Sequence, residues 1–294
     1  MTTETETRPP LSNRGANYPP QLLAWDWYQA TLPALDDVSP LLTGLRRVLG
    51  GQEWELSPPL YGYSVGYRLR GLDVGSVNVL TRAEDVHVQL TSAAAIDGVR
   101  YLRETWPGHR VSRADVALDV DEPGCFERLW RQVHELARSG AASGGRKVKT
   151  ATAGDWIDGE EGRTFYAGGA SSRLRVVVYE KGHEQIAKDP GCGASRDWSR
   201  VEWRLRPDSP AGKTWLATAS LAEAIGMTPF GAAIASALLT QDVAPAEAIR
   251  RFASQDPLYW MVKQYRRSVR ELLELDPVDA LGVLAQLMDQ VDAR

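Results

Sequence analysis

The sequence predicts an α+β fold: a largely antiparallel sheet with flanking helices, followed by a smaller all-α C-terminal region. Three observations predict it. Runs of alternating apolar and polar residues recur between residues 22 and 206, the period of half-buried strands. Stretches with apolar residues at helical spacing separate them, closed by Gly or Pro. After Pro207 the composition turns to Ala and Leu, and no clear strand follows.

The elements follow in order. "LLAWDWYQATLP" (22–33) alternates and is aromatic-rich, a first strand. "SPLLTGLRRVLG" has helical spacing and a Gly stop, a short helix. "YGYSVGYRLR", "GSVNVLTR" and "DVHVQLTS" read as three strands parted by turn residues. "AAAIDGVRYLRETWPG" is an amphipathic helix ended by Pro107-Gly108, and "HRVSRADVALDV" alternates strictly as a strand. "CFERLWRQVHELARSG" is a helix stopped at Gly140. The turn-rich 141–162 segment has room for one short strand. "RTFYAGG" and "RLRVVVYEK" pair as a hairpin, and "SRVEWRLR" is the last strand. The expected division is a disordered tail over 1–20, a sheet domain over 21–208 and a helical domain over 209–294.

Composition narrows the function classes. The chain has 294 residues, is 43% hydrophobic and carries a net charge of −4, so it is neither globally disordered nor a uniformly basic nucleic-acid coat. No window approaches a membrane span. The N-terminus lacks the basic start and apolar run of a signal peptide, which makes a cytoplasmic location the expectation. Two cysteines, Cys125 and Cys192, are too few for a disulfide framework. Charge is uneven: residues 250–270 hold six basic side chains against one acid, Asp256.

The strands carry functional groups on one face each, because residues two apart share a side. Arg113, Asp115, Ala117 and Asp119 form one such row. Glu202, Arg204 and Arg206 form a second, and His87 with Gln89 a third. On "LRVVVYEK" Tyr179 shares its side with Arg175, Val177 and Lys181. If these strands are neighbours, carboxylates, an imidazole, an amide and a phenol collect on one surface. Hard oxygen donors suit Mg²⁺ or Mn²⁺, a phenol is a possible nucleophile, and cations neutralise phosphate. Taken singly, each row is more simply a solvated sheet face. Alternation does not choose between Tyr179 and Tyr166 in "TFYAGG".

In order along the chain, "WDWYQATLP", "VHVQLTS", "SRADVALDVD", "RTFYAGGASSRLRVVVYEKGHEQ" and "SRVEWRLR" together resemble the replication initiation factor family, the rolling-circle initiators of small plasmids and filamentous phages. The resemblance covers roughly 22–208. It implies a nickase- or relaxase-like fold and a metal-assisted enzyme that nicks one origin strand. Tyr179 of the Tyr-x-Lys motif would be the nucleophile, forming a 5′-phosphotyrosyl link and later rejoining the strand, with Lys181 and Glu184 as helpers. It implies Asp115 and Glu202 as the main ligands of Mg²⁺ or Mn²⁺, then Asp119. His87-Val88-Gln89 stands where relatives in the broader nickase group carry a metal-binding His-hydrophobic-His strand, which adds His87 and Gln89 to the implied metal ligands. The implied partners are origin DNA in single-stranded or extruded form, host helicase and polymerase, and a second copy in a homodimer, without membrane. DNA contacts are expected at Arg113 and Arg175, in the basic loop with Lys147 and Lys149, and in the basic, aromatic 258–273 segment with Arg266 and Arg267. The helical domain would serve DNA binding or dimerisation. A mobilisation relaxase or single-strand transposase would use the same tyrosine, and a non-catalytic DNA-binding regulator would keep the fold without the chemistry.

Overall fold

The computed structural model describes residues 23–72 and 75–239, with isolated positions after 264. Arg266 and Arg267, and most of the basic 258–273 segment, lie outside the described residues.

The first strand, β1 (Ala24–Pro33), is followed by α1 (Ser39–Leu49), then β2 (Trp54–Ser57), β3 (Val65–Leu69), β4 (Ser76–Thr81), β5 (Asp85–Thr91) and α2 (Ala93–Thr105). The plan then recurs. The central strand β6 (Arg110–Asp121) is followed by α3 (Cys125–Ser139), then β7 (Thr150–Gly154), β8 (Arg163–Ala167) and β9 (Leu174–Tyr179). The short helix α4 (Lys181–Lys188) precedes β10 (Trp198–Leu205), and α5 (Pro210–Thr218), α6 (Leu221–Ile225) and α7 (Pro229–Leu239) close the described part. Among the described residues ten strands make one antiparallel sheet in the order β2-β3-β4-β5-β1-β6-β10-β9-β8-β7. Each half is a strand that pairs with the last strand of the four-stranded meander after it: β1 with β5, β6 with β10. The expected antiparallel sheet with flanking helices is therefore present.

One face of the sheet is the core. Tyr28, Ala30 and Leu32 of β1, Val116 and Leu118 of β6, Val201, Trp203 and Leu205 of β10, and Val176 and Val178 of β9 are buried there. Against it pack α2, on β1 and β5; α3, on β8, β9 and β10; and α5, on β6. Strict alternation makes this arrangement obligatory: with the apolar set facing the helices, the polar set faces the other way.

Two local readings change. Four residues, "WELS", are too short to show alternation, and they form the edge strand β2. Lys181 is not on the β9 face beside Tyr179; the strand ends at Tyr179, and Lys181 is the first residue of α4. The tight start of α4 needs Gly182, where an added Cβ would collide with the backbone oxygen of Ser195. The composition change near Pro207 coincides with the last strand, while the compact unit continues to Ala248 and includes α5–α7; Ile249–Arg294 forms a second unit. No helix among the described residues is long and apolar enough to cross a membrane.

Candidate active site

Strand register assembles the site. Arg200 of β10 lies opposite Tyr179 of β9 and Asp119 of β6. The next row holds Glu202 between Val177 and Ala117, and the next holds Arg204 between Arg175 and Asp115. Val177 and Ala117 flank Glu202 in its row, and all three are buried.

Tyr179 sits at the end of its strand and turns its hydroxyl onto Glu202, donating to Oε1 at 2.7 Å. Glu202 is 5% exposed, and its other oxygen, Oε2, accepts from Nε and Nη2 of Arg204 at 2.9 and 2.7 Å. Arg204 also faces Asp115, with Nε 3.9 Å from Oδ2, so it stands between the two carboxylates. Arg113 grips Asp115 through both oxygens, Nε to Oδ1 at 3.0 Å and Nη2 to Oδ2 at 2.5 Å, and lies 4.4 Å over the ring of Trp27.

Protonation follows from these contacts. Burial pushes the Tyr179 phenol well above its usual pKa, the Glu202 charge adds to this, and Arg200 is the cation that opposes it. The phenol is therefore protonated at rest. Burial works to raise Glu202, but Arg204, Arg200 and the tyrosine hydrogen bond outweigh it and hold the carboxyl below its ordinary range. Asp115 goes the other way. Burial dominates, Arg113 opposes, the Glu202 charge adds, and the carboxyl is pushed up to about 6. Two adjacent carboxylates whose environments drive their pKa values apart are a recurrent mark of acid–base chemistry.

Behind this group lies a closed ionic cluster. Arg200, wholly buried, binds Asp119 through Nε at 2.6 Å and Nη2 at 2.9 Å, and Asp26 through Nη1 at 2.9 Å. Trp198 Nε1 also donates to Asp119, at 2.9 Å. Asp119, expected as a metal ligand, is thus held by Arg200 and the indole. Lys181 is buried with Nζ 2.7 Å from Glu184, which also binds Lys188, and Nζ lies 5.5 Å from the Tyr179 ring centre. Burial and the nearby Arg200 depress the Lys181 ammonium.

An open pocket of about 350 Å³ borders the tyrosine, lined by Tyr166, Val177, Tyr179, Glu184 and Arg204 among others. Its rim is fixed by Arg163, which binds Glu180 through Nη2 at 2.8 Å and Glu127 of α3 through Nη1 at 2.7 Å. The rival tyrosine, Tyr166, makes a different contact: the Arg175 guanidinium lies 3.9 Å over its ring.

His87 and Gln89 are on the same sheet face but not in this group. Asp115 aligns with Trp27 and, beyond it, Thr91; His87 is four residues along β5 from Thr91 and two strands from β6. Strand geometry makes that separation on the order of 15 Å. His87 instead packs with Tyr61 and Tyr63, and burial pushes its pKa down to about 4. Gln89 pairs with Gln29 at 3.3 Å. Lys147 and Lys149 are exposed in the loop before β7. Sequence reading passed over Arg200, Arg204 and Arg206 as site residues, although all stand at the same parity as Glu202.

Among the described residues no group of three or more His, Cys, Asp or Glu side chains is placed to hold a metal ion. The pair Asp115 and Glu202 is a different case. Mg²⁺ keeps much of its water and is commonly held by one or two carboxylates plus a substrate phosphate. Two nearby hard oxygen donors fit that mode; burial is what chiefly lifts the Asp115 pKa, and a cation would relieve the smaller contribution of the Glu202 charge. In the present arrangement Arg113 and Arg204 supply the opposing charge.

The model of the family described as "replication initiation factor" matches residues 109–224, from the start of β6 to α6. This is the segment that supplies Asp115, Tyr179 and Glu202, and the resemblance read from the sequence holds there. A solved chain described as a rolling circle replication initiator protein from Geobacillus stearothermophilus shares 20% identity with this one, with a TM-score of 0.47 over 69% of this chain and 82% of that one. No curated protein sequence matches the chain.

Proposed function

We propose, with the family match as premise, that this chain initiates rolling-circle replication by nicking one strand of its origin through Tyr179. The observation that carries the reading is the 2.7 Å hydrogen bond from the Tyr179 hydroxyl to the buried Glu202 carboxylate, at the edge of an open pocket walled by Arg204. A phenol is a poor nucleophile until its proton leaves, and Glu202 is within direct transfer distance.

In the proposed step the Tyr179 oxygen attacks phosphorus as its proton passes to Glu202. A bond forms between phosphorus and the tyrosine oxygen. The bond from phosphorus to the 3′ oxygen breaks, and the departing oxygen takes a proton from water. The product is a 5′-phosphotyrosyl protein and a free 3′-OH that primes synthesis. Attack by a 3′-OH on the phosphotyrosyl bond reverses the step and rejoins the strand. A divalent Mg²⁺ or Mn²⁺, held by Asp115 and Glu202, would stabilise charge building on the phosphate oxygens. Arg204 offers a fixed positive charge beside the same pocket. Lys181 and Glu184 hold the start of α4 beside the nucleophile.

DNA is held, in this reading, by Arg113 and Arg175 near the cut and by Lys147, Lys149, Arg266 and Arg267 elsewhere. The region after 208 would contribute DNA binding or dimerisation, and host helicase and polymerase would act on the nicked product.

The test is a nicking assay on supercoiled DNA carrying the gene and its flanks, with Mn²⁺, Mg²⁺ or EDTA. Expected is a metal-dependent open circle with protein covalently on the 5′ end, absent in Tyr179→Phe. A folded wild-type protein that leaves a verified origin intact would overturn the enzyme reading in favour of a non-catalytic regulator. Nicking retained by Tyr179→Phe would transfer the role to Tyr166.

A further inference from the structure

Four guanidinium groups crowd one end of the polar face, those of Arg113, Arg175, Arg204 and Arg206, and two carboxylates answer them, Asp115 and Glu202. Arg113 is taken up by Asp115 and Arg204 by Glu202. Arg175 and Arg206 have no carboxylate partner among the described residues. Nε of Arg175 and Nη1 of Arg206 are buried atoms with no hydrogen-bond partner there. Arg175 is kept in place by the Tyr166 ring beneath its guanidinium, at 3.9 Å. The backbone of Arg206 is anchored by its N–H donating to the Arg173 oxygen at 2.7 Å, just past the end of β10. Burial and then the positive charge of Arg113 press the Arg206 pKa down; Asp115 opposes them, and Arg204 and Arg175 add to the depression.

Buried donors without acceptors and like charges packed together are both unfavourable for a resting protein. The uncompensated positive charge of Arg175 and Arg206 suits an anion with several acceptor oxygens, reached through their other guanidinium nitrogens. Neither Arg175 nor Arg206 lines the pocket beside Tyr179, whereas Arg204 does. The anion they fit is therefore adjacent to the reacting one.

We propose that Arg175 and Arg206 form a subsite for a backbone phosphate of the single-stranded DNA flanking the cut, with Tyr166 fixing the plane of Arg175. The subsite rests on the reading of the chain as a DNA-nicking enzyme. It assigns to Arg206 and Tyr166 the task of positioning the strand over Tyr179.

The test uses the full chain and a fluorescent oligonucleotide of the origin strand, titrated at several salt concentrations, with Arg206→Gln and Arg175→Gln as variants. Each variant is expected to bind about tenfold more weakly at low salt. Its slope of log affinity against log salt is expected to be shallower by about 0.7, the loss of one phosphate contact. An oligonucleotide with abasic sites should show the same losses, because the contact is to phosphate. The thermal midpoint of each variant should equal or exceed that of the wild type, since an unpartnered buried cation has been removed. Unchanged affinity and slope in folded variants, while the wild type binds, would overturn the subsite alone. A midpoint lowered by several degrees would also overturn it, showing the arginines to be structural. A wild-type protein that binds no single-stranded DNA would overturn the nicking reading and the subsite with it.

Discussion

The β6–β10 pair carries two ionic clusters only four residues apart, and they are built differently. At one end Arg200 meets Asp119 and Asp26, one cation for two acids, with every guanidinium nitrogen hydrogen-bonded and no exposure. At the other end Asp115 and Glu202 pair with Arg113 and Arg204, and two further arginines, Arg175 and Arg206, keep buried nitrogens without partners among the described residues. Both set arginines of β10 beside acids of β6. What differs is charge matching and access. A buried charge is tolerated in a resting protein when its partners are complete; an incomplete set beside an open pocket is suited to a ligand that completes it. The closed cluster holds β1, β6 and β10 together, and the open one offers chemistry.

Glu202→Gln would break the open cluster with the largest effect. Gln keeps the shape but does not take the phenol proton, and nicking should fall by about 10²–10⁴-fold, measured as single-turnover cleavage of a short origin strand. Retained cleavage would remove Glu202 from the proton path.

Arg200→Gln attacks the closed cluster. It strands the buried Asp119 and the partly buried Asp26 and should cost about 3–5 kcal/mol in chemical denaturation. A loss below about 1 kcal/mol would mean that the two ends are not different in kind.

A pH series sharpens the contrast. Folding raises the Asp115 pKa from 3.8 to about 6, so the folded chain binds the proton more tightly. This group's contribution is favourable below about pH 4, and stability is lost as pH rises through about 6. The stability of Asp115→Asn relative to wild type should therefore increase by about 2 kcal/mol between pH 4 and pH 7. A flat difference would show that Asp115 is ordinary. The exposed Lys147 and Lys149 should matter least: Gln at either is expected to weaken DNA binding a few-fold at low salt and hardly at all at high salt.

The sequence by itself determined much of this protein. Alternation set the parity of 113, 115, 117 and 119 and of 202, 204 and 206, because one face had to be apolar to bury and the other was left polar. Helix stops at Gly50 and Gly140 were equally plain, since a left-handed backbone there favours glycine. Motif order pointed to the family whose model matches residues 109–224.

What alternation does not carry is which strands are neighbours and at what register, since pairing is a long-range choice. That choice put β1 between β5 and β6, which separated His87 and Gln89 from Asp115 despite their shared face. It aligned Arg204 with Asp115 and Arg200 with Asp119, so two acids of identical sequence spacing acquired different surroundings. It also distinguished two tyrosines of similar local pattern, joining Tyr179 to a carboxylate and Tyr166 to an arginine. Parity is a property of one strand and is written in its residues. Neighbourhood is decided by how all ten strands close on one core, and the charge around each side chain follows from that.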